Sequence, residues 1–105
     1  MSSLVPIDVA HFERGIAAQG SFAVLFSATW CGPCRSFAPL LVRVAEGMPG
    51  VAVAKVDCDT TPELAARYGV RSVPTLVVLR GGEVAARHVG TMPEAALRRF
   101  LADAG

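Results

Sequence analysis

The chain is short of charge. Only 18% of its 105 residues are Asp, Glu, Lys or Arg, and ten cations against nine anions leave a formal charge of +1. With no basic or acidic cluster along the chain, the charge pattern offers no electrostatic footprint for nucleic acid and no patch for a membrane surface. Long hydrophobic runs are missing as well. The longest, such as Phe22 to Phe26 and Thr75 to Leu79, fall far below the length that spans a bilayer. The first residues, Met1-Ser2-Ser3-Leu4-Val5-Pro6-Ile7-Asp8, carry no basic start, apolar stretch or cleavage-like site, so a cytoplasmic location is expected rather than a secreted one. No repeat, low-complexity tract or linker divides the sequence, and its length leaves room for a single domain over residues 1–105. A 52% hydrophobic composition is enough for one core without disulfide or metal staples.

Cysteine is sparse and odd in number, which excludes a complete intramolecular disulfide framework. Cys31 and Cys34 form a C-x-x-C, and Cys58 stands apart. Such a pair is either half of a metal site or a redox couple. A structural zinc site needs four ligands, and the remaining candidates, Cys58, His11 and His88, form no second pair. A Cys–His hydrolase lacks any recognisable third partner.

The surrounding pattern alternates strand-like and helix-like segments. Leu4 to Ile7 is a short apolar edge strand, and Asp8 caps a helix to about Ala18 that turns Phe12 and Ile16 inward. Phe22 to Phe26 is a continuous apolar run, expected of a strand covered on both faces. A helix follows from Cys31 to Glu46 with Phe37, Leu40, Leu41, Val44 and Met48 on its inner side. Val51 to Val56 is a second buried strand. Thr60 opens a short helix that stops at Gly69, with Pro62 early and Glu63 three residues on. Thr75 to Arg80, Gly81-Gly82 and Glu83 to Val89 form a hairpin. Thr91-Met92-Pro93-Glu94 opens a last helix carrying Leu97, Phe100 and Leu101. The fold class is α/β in the order β-α-β-α-β-α-β-β-α, with a mixed sheet between layers of helices.

The C-x-x-C falls where a buried strand hands over to a helix. Cys31 sits at the helix N-terminus, where unpaired N–H groups and the macrodipole favour a thiolate, so it should titrate below the free-thiol value of about 8.5. Cys34 lies one turn further in. Residues three apart on a helix hold their Cβ atoms roughly 5–6 Å apart, close enough for a disulfide after a small adjustment. The expectation is therefore an exposed, activated Cys31 and a more covered, less acidic Cys34. Pro33 is tolerated in the first turn, Gly32 removes a side chain beside the sulfur, and Pro39 removes one helical hydrogen bond.

Ala28-Thr29-Trp30-Cys31-Gly32-Pro33-Cys34-Arg35 resembles the active-site signature of the thioredoxin family. The resemblance continues through Val53–Asp57, Tyr68–Leu76 with Val73-Pro74-Thr75, Gly81–Val84 and Val89-Gly90, nearly the whole chain. It implies a central mixed sheet with helices on both faces, and a cis-proline at Pro74 facing Cys31 and Cys34. It also implies an apolar groove of Trp30, Gly32, Pro33, Val73, Pro74 and Gly90 that receives a client's disulfide segment, with the Val73 backbone pairing to it. The implied activity is reduction of protein disulfides through a Cys31/Cys34 dithiol–disulfide cycle. No cofactor is bound; electrons come from a thioredoxin reductase, and a monomer is expected. A specialised oxidase or isomerase with a dedicated partner, and a non-catalytic binding module, are the competing readings.

Two positions depart from the family pattern. Leu25 stands where a buried Asp is common, and Ser27 where a Trp is usual. Either Leu25 simply fills the core while Lys55 reaches for solvent, or deprotonation of Cys34 is less assisted than in relatives. Cys58 is either a small, partly buried hydrophobe or a regulatory thiol.

Overall fold

Strand β1 (Ser21–Ser27) is buried at every residue because neighbours cover both its edges and both its faces. It pairs in parallel with β2 (Val51–Asp57), placing Leu25 opposite Lys55 and Ser27 opposite Asp57. On its other edge it pairs antiparallel with β3 (Thr75–Arg80), Phe22 opposite Leu79 and Phe26 opposite Thr75. Strand β4 (Glu83–Val89) completes the mixed sheet in the order β2-β1-β3-β4. This computed structural model describes Phe12, Arg14, Gly15 and residues 20–104. The expected edge strand at Leu4–Ile7, the Asp8 cap, Ile16 and His11 lie outside the described residues. Phe12 is helical and fully buried, its ring 5.8 Å from Phe22 and 5.7 Å from Tyr68.

Period-two alternation along the strands sorts the core into two layers. Phe22, Val24, Phe26, Val77 and Leu79 point to one face and meet Leu64 and Ala65 of α2 (Pro62–Arg67). Ala23, Leu25, Leu76 and Val78 point to the other. There they meet Phe37, Leu41 and Val44 of α1 (Gly32–Glu46), with Leu97 and Leu101 of α3 (Glu94–Ala104). Full burial of each Val, Leu or Phe contributes about 1.5–3 kcal/mol, so α1, with three such anchors, is held firmly despite Pro39 in its interior. Arg43 of α1 and Arg98 both reach the Glu94 carboxylate, at 3.1 and 3.0 Å, and hold it below the usual carboxylate range. All three side chains are solvated, and exposed pairs add little stability.

Three expectations shift. Strand β2 lies at the sheet edge among the described residues, so Ala52 is exposed and Val51, Val53 and Lys55 are half-buried rather than fully covered. Helix α2 begins at Pro62 with Thr61, not Thr60, as its N-cap, and no side chain caps it. The chain there is held from β2 instead: the Asp57 carbonyl accepts from the Thr61 N–H at 2.9 Å and from Thr60 Oγ1 at 3.4 Å. Helix α3 begins at Glu94, three residues later than its opening sequence predicts. The hairpin is as expected, with Gly81 and Gly82 at φ +62° and +84°, the double left-handed pair of a two-residue hairpin turn.

Gly20 is where β1 meets the turn into β2. Its φ is +92°, and an added Cβ would lie 2.5 Å from the Gly50 carbonyl oxygen, which already accepts the Ser21 N–H at 2.9 Å. Backbone atoms on both sides cannot yield. Gly20→Ala should cost about 1–3 kcal/mol, a drop of several degrees or more in thermal midpoint. Gly32→Ala, with nothing within 4 Å of the added carbon, should leave the midpoint almost unchanged. Equal midpoints for the two variants would contradict this account of the turn.

Candidate active site

The end of β1 delivers Ala28, Thr29 and Trp30 to a tight turn in which the Cys31 N–H donates to the Ala28 carbonyl at 3.1 Å. Cys31 is then the N-cap of α1, with extended backbone at φ −90° and ψ 107°. Its Sγ accepts the Cys34 N–H at 3.2 Å, so a sulfur takes the part that Ser or Asp usually plays at this position. Pro33, in the first turn, has no N–H to offer, which leaves Cys34 as an early donor. Cys31 and Cys34 are joined as a disulfide with Cα atoms 5.3 Å apart. Arg35 folds back from α1 and donates to the Thr29 carbonyl at 2.8 Å, clamping the turn from outside.

The expected contrast in exposure is absent: both cysteines are 4% exposed. Val73 and Ala28 pack against the pair. What distinguishes the two thiols is position on the helix, cap against interior, and not access in this bonded state. Reduced Cys31 would still face the unpaired N–H groups of the first turn, which favour its anion.

Opposite the pair, Val73–Pro74 is a cis peptide bond. Pro74 is buried and its carbonyl accepts the Gly90 N–H at 2.8 Å, while Thr75 Oγ1 donates to the Ser72 carbonyl at 2.7 Å. These bonds bring Gly90 (φ +95°) and the Val73–Pro74 loop to the end of the sheet where Cys31 stands. Trp30 is 69% exposed, so it is not a core residue. Its indole Nε1–H donates to Asp59 Oδ2 at 3.0 Å, which pins the ring while leaving its face to solvent. Trp30 and Val73 line one shallow hollow together with Cys58 and Arg71; Pro33 lines another with Phe37 and Met92. Gly32 is exposed beside Cys31.

Behind the pair, on the α1 face of the sheet, Cys34 borders a half-open cavity of about 270 Å³ lined also by Ser27, Ala28, Thr29, Arg35, Lys55 and Asp57. Leu25 is fully buried in the apolar layer, so the core-filling reading of that position holds. Lys55, its neighbour across the sheet, is half-buried at the cavity wall. Asp57 is 5% exposed and uses Oδ1 to accept the N–H groups of Asp59 and Thr60, at 2.8 and 3.3 Å. Neither Asp57 nor Asp59 stands out by spacing from the C-x-x-C. The available signal is an Asp at a strand end with backbone N–H groups two and three residues on, a turn-forming pattern.

Cys58 is half-buried, packed against the layer that contains Phe26 and Tyr68. Burial, then the neighbouring Asp57 and Asp59 carboxylates, push its thiol above the ordinary range. His88 is half-buried, its ring edge-on to Phe100 at 6.0 Å and Nε2 3.3 Å from the Thr91 carbonyl oxygen. Among the described residues no group of three or more His, Cys, Asp or Glu could hold a metal ion, and no helix is long and apolar enough to cross a membrane.

Comparison with known proteins points one way. The Thioredoxin family model matches residues 3–103. A thioredoxin of Streptomyces clavuligerus is 49% identical over 92 residues, covering 88% of this chain and 80% of the relative. One of Rhodospirillum rubrum is 41% identical over 95 residues, covering 90% and 91%. A bifunctional thioredoxin reductase/thioredoxin of Mycobacterium leprae is 41% identical over 97 residues, 91% of this chain but only 21% of that protein. The solved structure of a mutant thioredoxin from Halobacterium salinarum NRC-1 superposes with a TM-score of 0.82 at 35% identity, covering 96% of this chain and 92% of the other. With its close cysteine pair at the head of α1, the chain belongs to the thioredoxin family and is a dithiol–disulfide oxidoreductase of the protein-disulfide reductase type.

Proposed function

We propose that this chain, acting as one monomeric domain over residues 1–105 in the cytoplasm, carries electrons from a thioredoxin reductase to disulfide-containing client proteins, with Cys31 as the attacking thiol and Cys34 as the resolving one. The observation that carries the assignment is the Cys31 Sγ acting as N-cap of α1, hydrogen-bonded by the Cys34 N–H. That position favours a thiolate at Cys31 and not at Cys34. The fusion of a reductase to a thioredoxin in the Mycobacterium leprae relative supports the electron donor. A reducing compartment suits a dithiol that must be recharged.

In the forward reaction the Cys31 thiolate attacks one sulfur of the client disulfide. A Cys31–client bond forms, the client S–S bond breaks, and the electron pair leaves on the other client sulfur, which takes up a proton. Cys34 then loses its proton and attacks Cys31 Sγ. The Cys31–Cys34 bond forms, the Cys31–client bond breaks, and the second client thiol is released. Two electrons pass from the dithiol to the client. Trp30, Gly32, Pro33, Val73, Pro74 and Gly90 form the groove that holds the client segment. Val73 supports this role because it packs against the cysteine pair, where its own backbone can pair with an extended chain.

Insulin-disulfide reduction with NADPH and a thioredoxin reductase tests the reading. Turnover is expected in the wild type and none in Cys31→Ser; a wild type that only oxidises dithiols would make the chain an oxidase instead. Cys34→Ser should accumulate a mixed disulfide with an oxidised client, visible on a non-reducing gel, while Cys31→Ser should accumulate little. Trapping by Cys31→Ser alone would reverse the two roles.

Cys58 stays out of this chemistry. With its thiol pushed up by burial and two carboxylates, it remains protonated at neutral pH. In a Cys31→Ser/Cys34→Ser chain it should react with a thiol reagent at pH 7 more slowly than free cysteine, and accelerate only above the pH at which free cysteine does. Labelling at pH 7 as fast as free cysteine would contradict the shift.

A further inference from the structure

The second half of the cycle needs a base. Cys34 must give up a proton to attack Cys31 Sγ, and its interior position on α1 does little to favour the anion. Leu25, on the strand beneath, is fully buried in the apolar layer and offers no proton acceptor. The cavity against Cys34 offers one. Of the side chains lining it, Arg35 and Lys55 are cations and Ser27 and Thr29 are hydroxyls; Asp57 is the carboxylate.

We propose that Asp57 of β2, across this cavity, is the proton acceptor for Cys34 during release of the client, a task for which β1 provides no carboxylate. The proposal rests on the reductase reading and adds a positioning residue to it.

The geometry favours it in three ways. Asp57 is opposite Ser27 in the parallel register, on the same face as Leu25, Lys55 and α1, so its carboxyl lies on the Cys34 side of the sheet. Ser27 contributes only a hydroxymethyl group there, which leaves about 270 Å³ between the strands and α1, open on one side and large enough for water to bridge thiol and carboxylate. Asp57 commits Oδ1 to the Asp59 and Thr60 N–H groups, while Oδ2 has no hydrogen bond from any described residue. The carboxyl is thus fixed by one oxygen and has the other to spare.

The charged groups around Asp57 fit the role. Lys55 lines the same cavity from β2 without forming an ion pair with Asp57, and Arg35 approaches from α1 with a guanidinium nitrogen turned to the Thr29 carbonyl. Asp59 in the following turn is engaged with the Trp30 indole, and Cys58 stays protonated. Arg71 in the loop before Val73 lines the hollow of Trp30 and Cys58, not the cavity of Asp57. In the step itself the proton of Cys34 Sγ passes to the Asp57 carboxylate, through water in the cavity. Cys34 Sγ attacks Cys31 Sγ, the Cys31–client bond breaks, and the client thiolate leaves and is protonated from solvent. Asp57 then returns its proton to solvent, so the cycle closes with no further oxidant or reductant.

Asp57→Asn is the test, because the amide oxygen can still accept the Asp59 and Thr60 N–H groups. With the Asp57 carboxylate taking the proton, wild-type single-turnover release of a client from Cys31 should vary little between pH 6 and 8. In Asp57→Asn it should be about tenfold slower at pH 7, a modest share of what positioned bases supply, and climb about tenfold per pH unit as deprotonation falls to hydroxide. The sign discriminates: mere removal of a neighbouring negative charge would favour the Cys34 thiolate and speed the step. A second readout needs neither activity nor a change at Asp57. In the reduced wild type the Asp57 carboxyl carbon resonance should show an inflection where Cys34 titrates, absent in Cys34→Ser. An unchanged or faster rate with the wild-type pH profile in Asp57→Asn, or no such inflection, overturns the proposal. A wild type that reduces no client, with the inflection present, would instead sink the reductase reading while leaving the proton coupling in place.

Discussion

A sulfur caps a helix, and most of the molecule is arranged around that one hydrogen bond. The Cys34 N–H reaches Cys31 Sγ at 3.2 Å because β1 ends just short of α1 and a tight turn lets Cys31 keep extended backbone at the cap. The cap is credible only if α1 is immobile. Phe37, Leu41 and Val44 bury its inner face against the sheet, and Arg35 ties its first turn to the Thr29 carbonyl. The consequence is chemical. The orphan donors of a helix start stabilise negative charge, so the residue that caps in the oxidised state is the one best placed to be an anion in the reduced state.

The two sides of the pair are different solvents. Toward the Val73–Pro74 loop the neighbours are Val73 and Ala28, with the face of Trp30 beyond, and a client's apolar segment can exclude water there. Toward α1's underside Cys34 shares a cavity with hydroxyls, cations and the Asp57 carboxylate. Nucleophilic attack gains from the dry side, and proton transfer needs the wet one. Of the two positions that depart from the family pattern, Ser27 lines the wet side and Leu25 lies in the apolar core. Leu25 takes one strand position into the core, and Ser27 opens the next toward β2.

Much of this was legible in the residues. Phe22 to Phe26 announced a doubly covered strand, Gly81-Gly82 a hairpin, and Trp30-Cys31-Gly32-Pro33-Cys34 a helix start with two thiols one turn apart. Local chemistry dictates such features, so local sequence reveals them. What escaped depends on pairs distant in the chain. Val73, which packs against Cys31 and Cys34, lies some forty positions on. Trp30 is pinned by Asp59 across 29 residues. Asp57 shares a cavity with Cys34 because the parallel register sets it opposite Ser27. The α2 cap falls at Thr61 while Asp57 holds both the N–H and the hydroxyl of Thr60, a competition no local cap rule anticipates. Strand β2 looked covered because apolar residues at a sheet edge and at its centre have the same composition.

The account stands most directly on the acidity of Cys31. Ultraviolet absorbance of the thiolate against pH, measured on the reduced Cys34→Ser chain and separately on Cys31→Ser, isolates each thiol in turn. Cys31 is predicted to titrate well below the ordinary thiol value of about 8.5, and Cys34 at or above it. Two curves that coincide in the ordinary range would contradict the claim that the helix start, capped by sulfur, makes Cys31 the nucleophile.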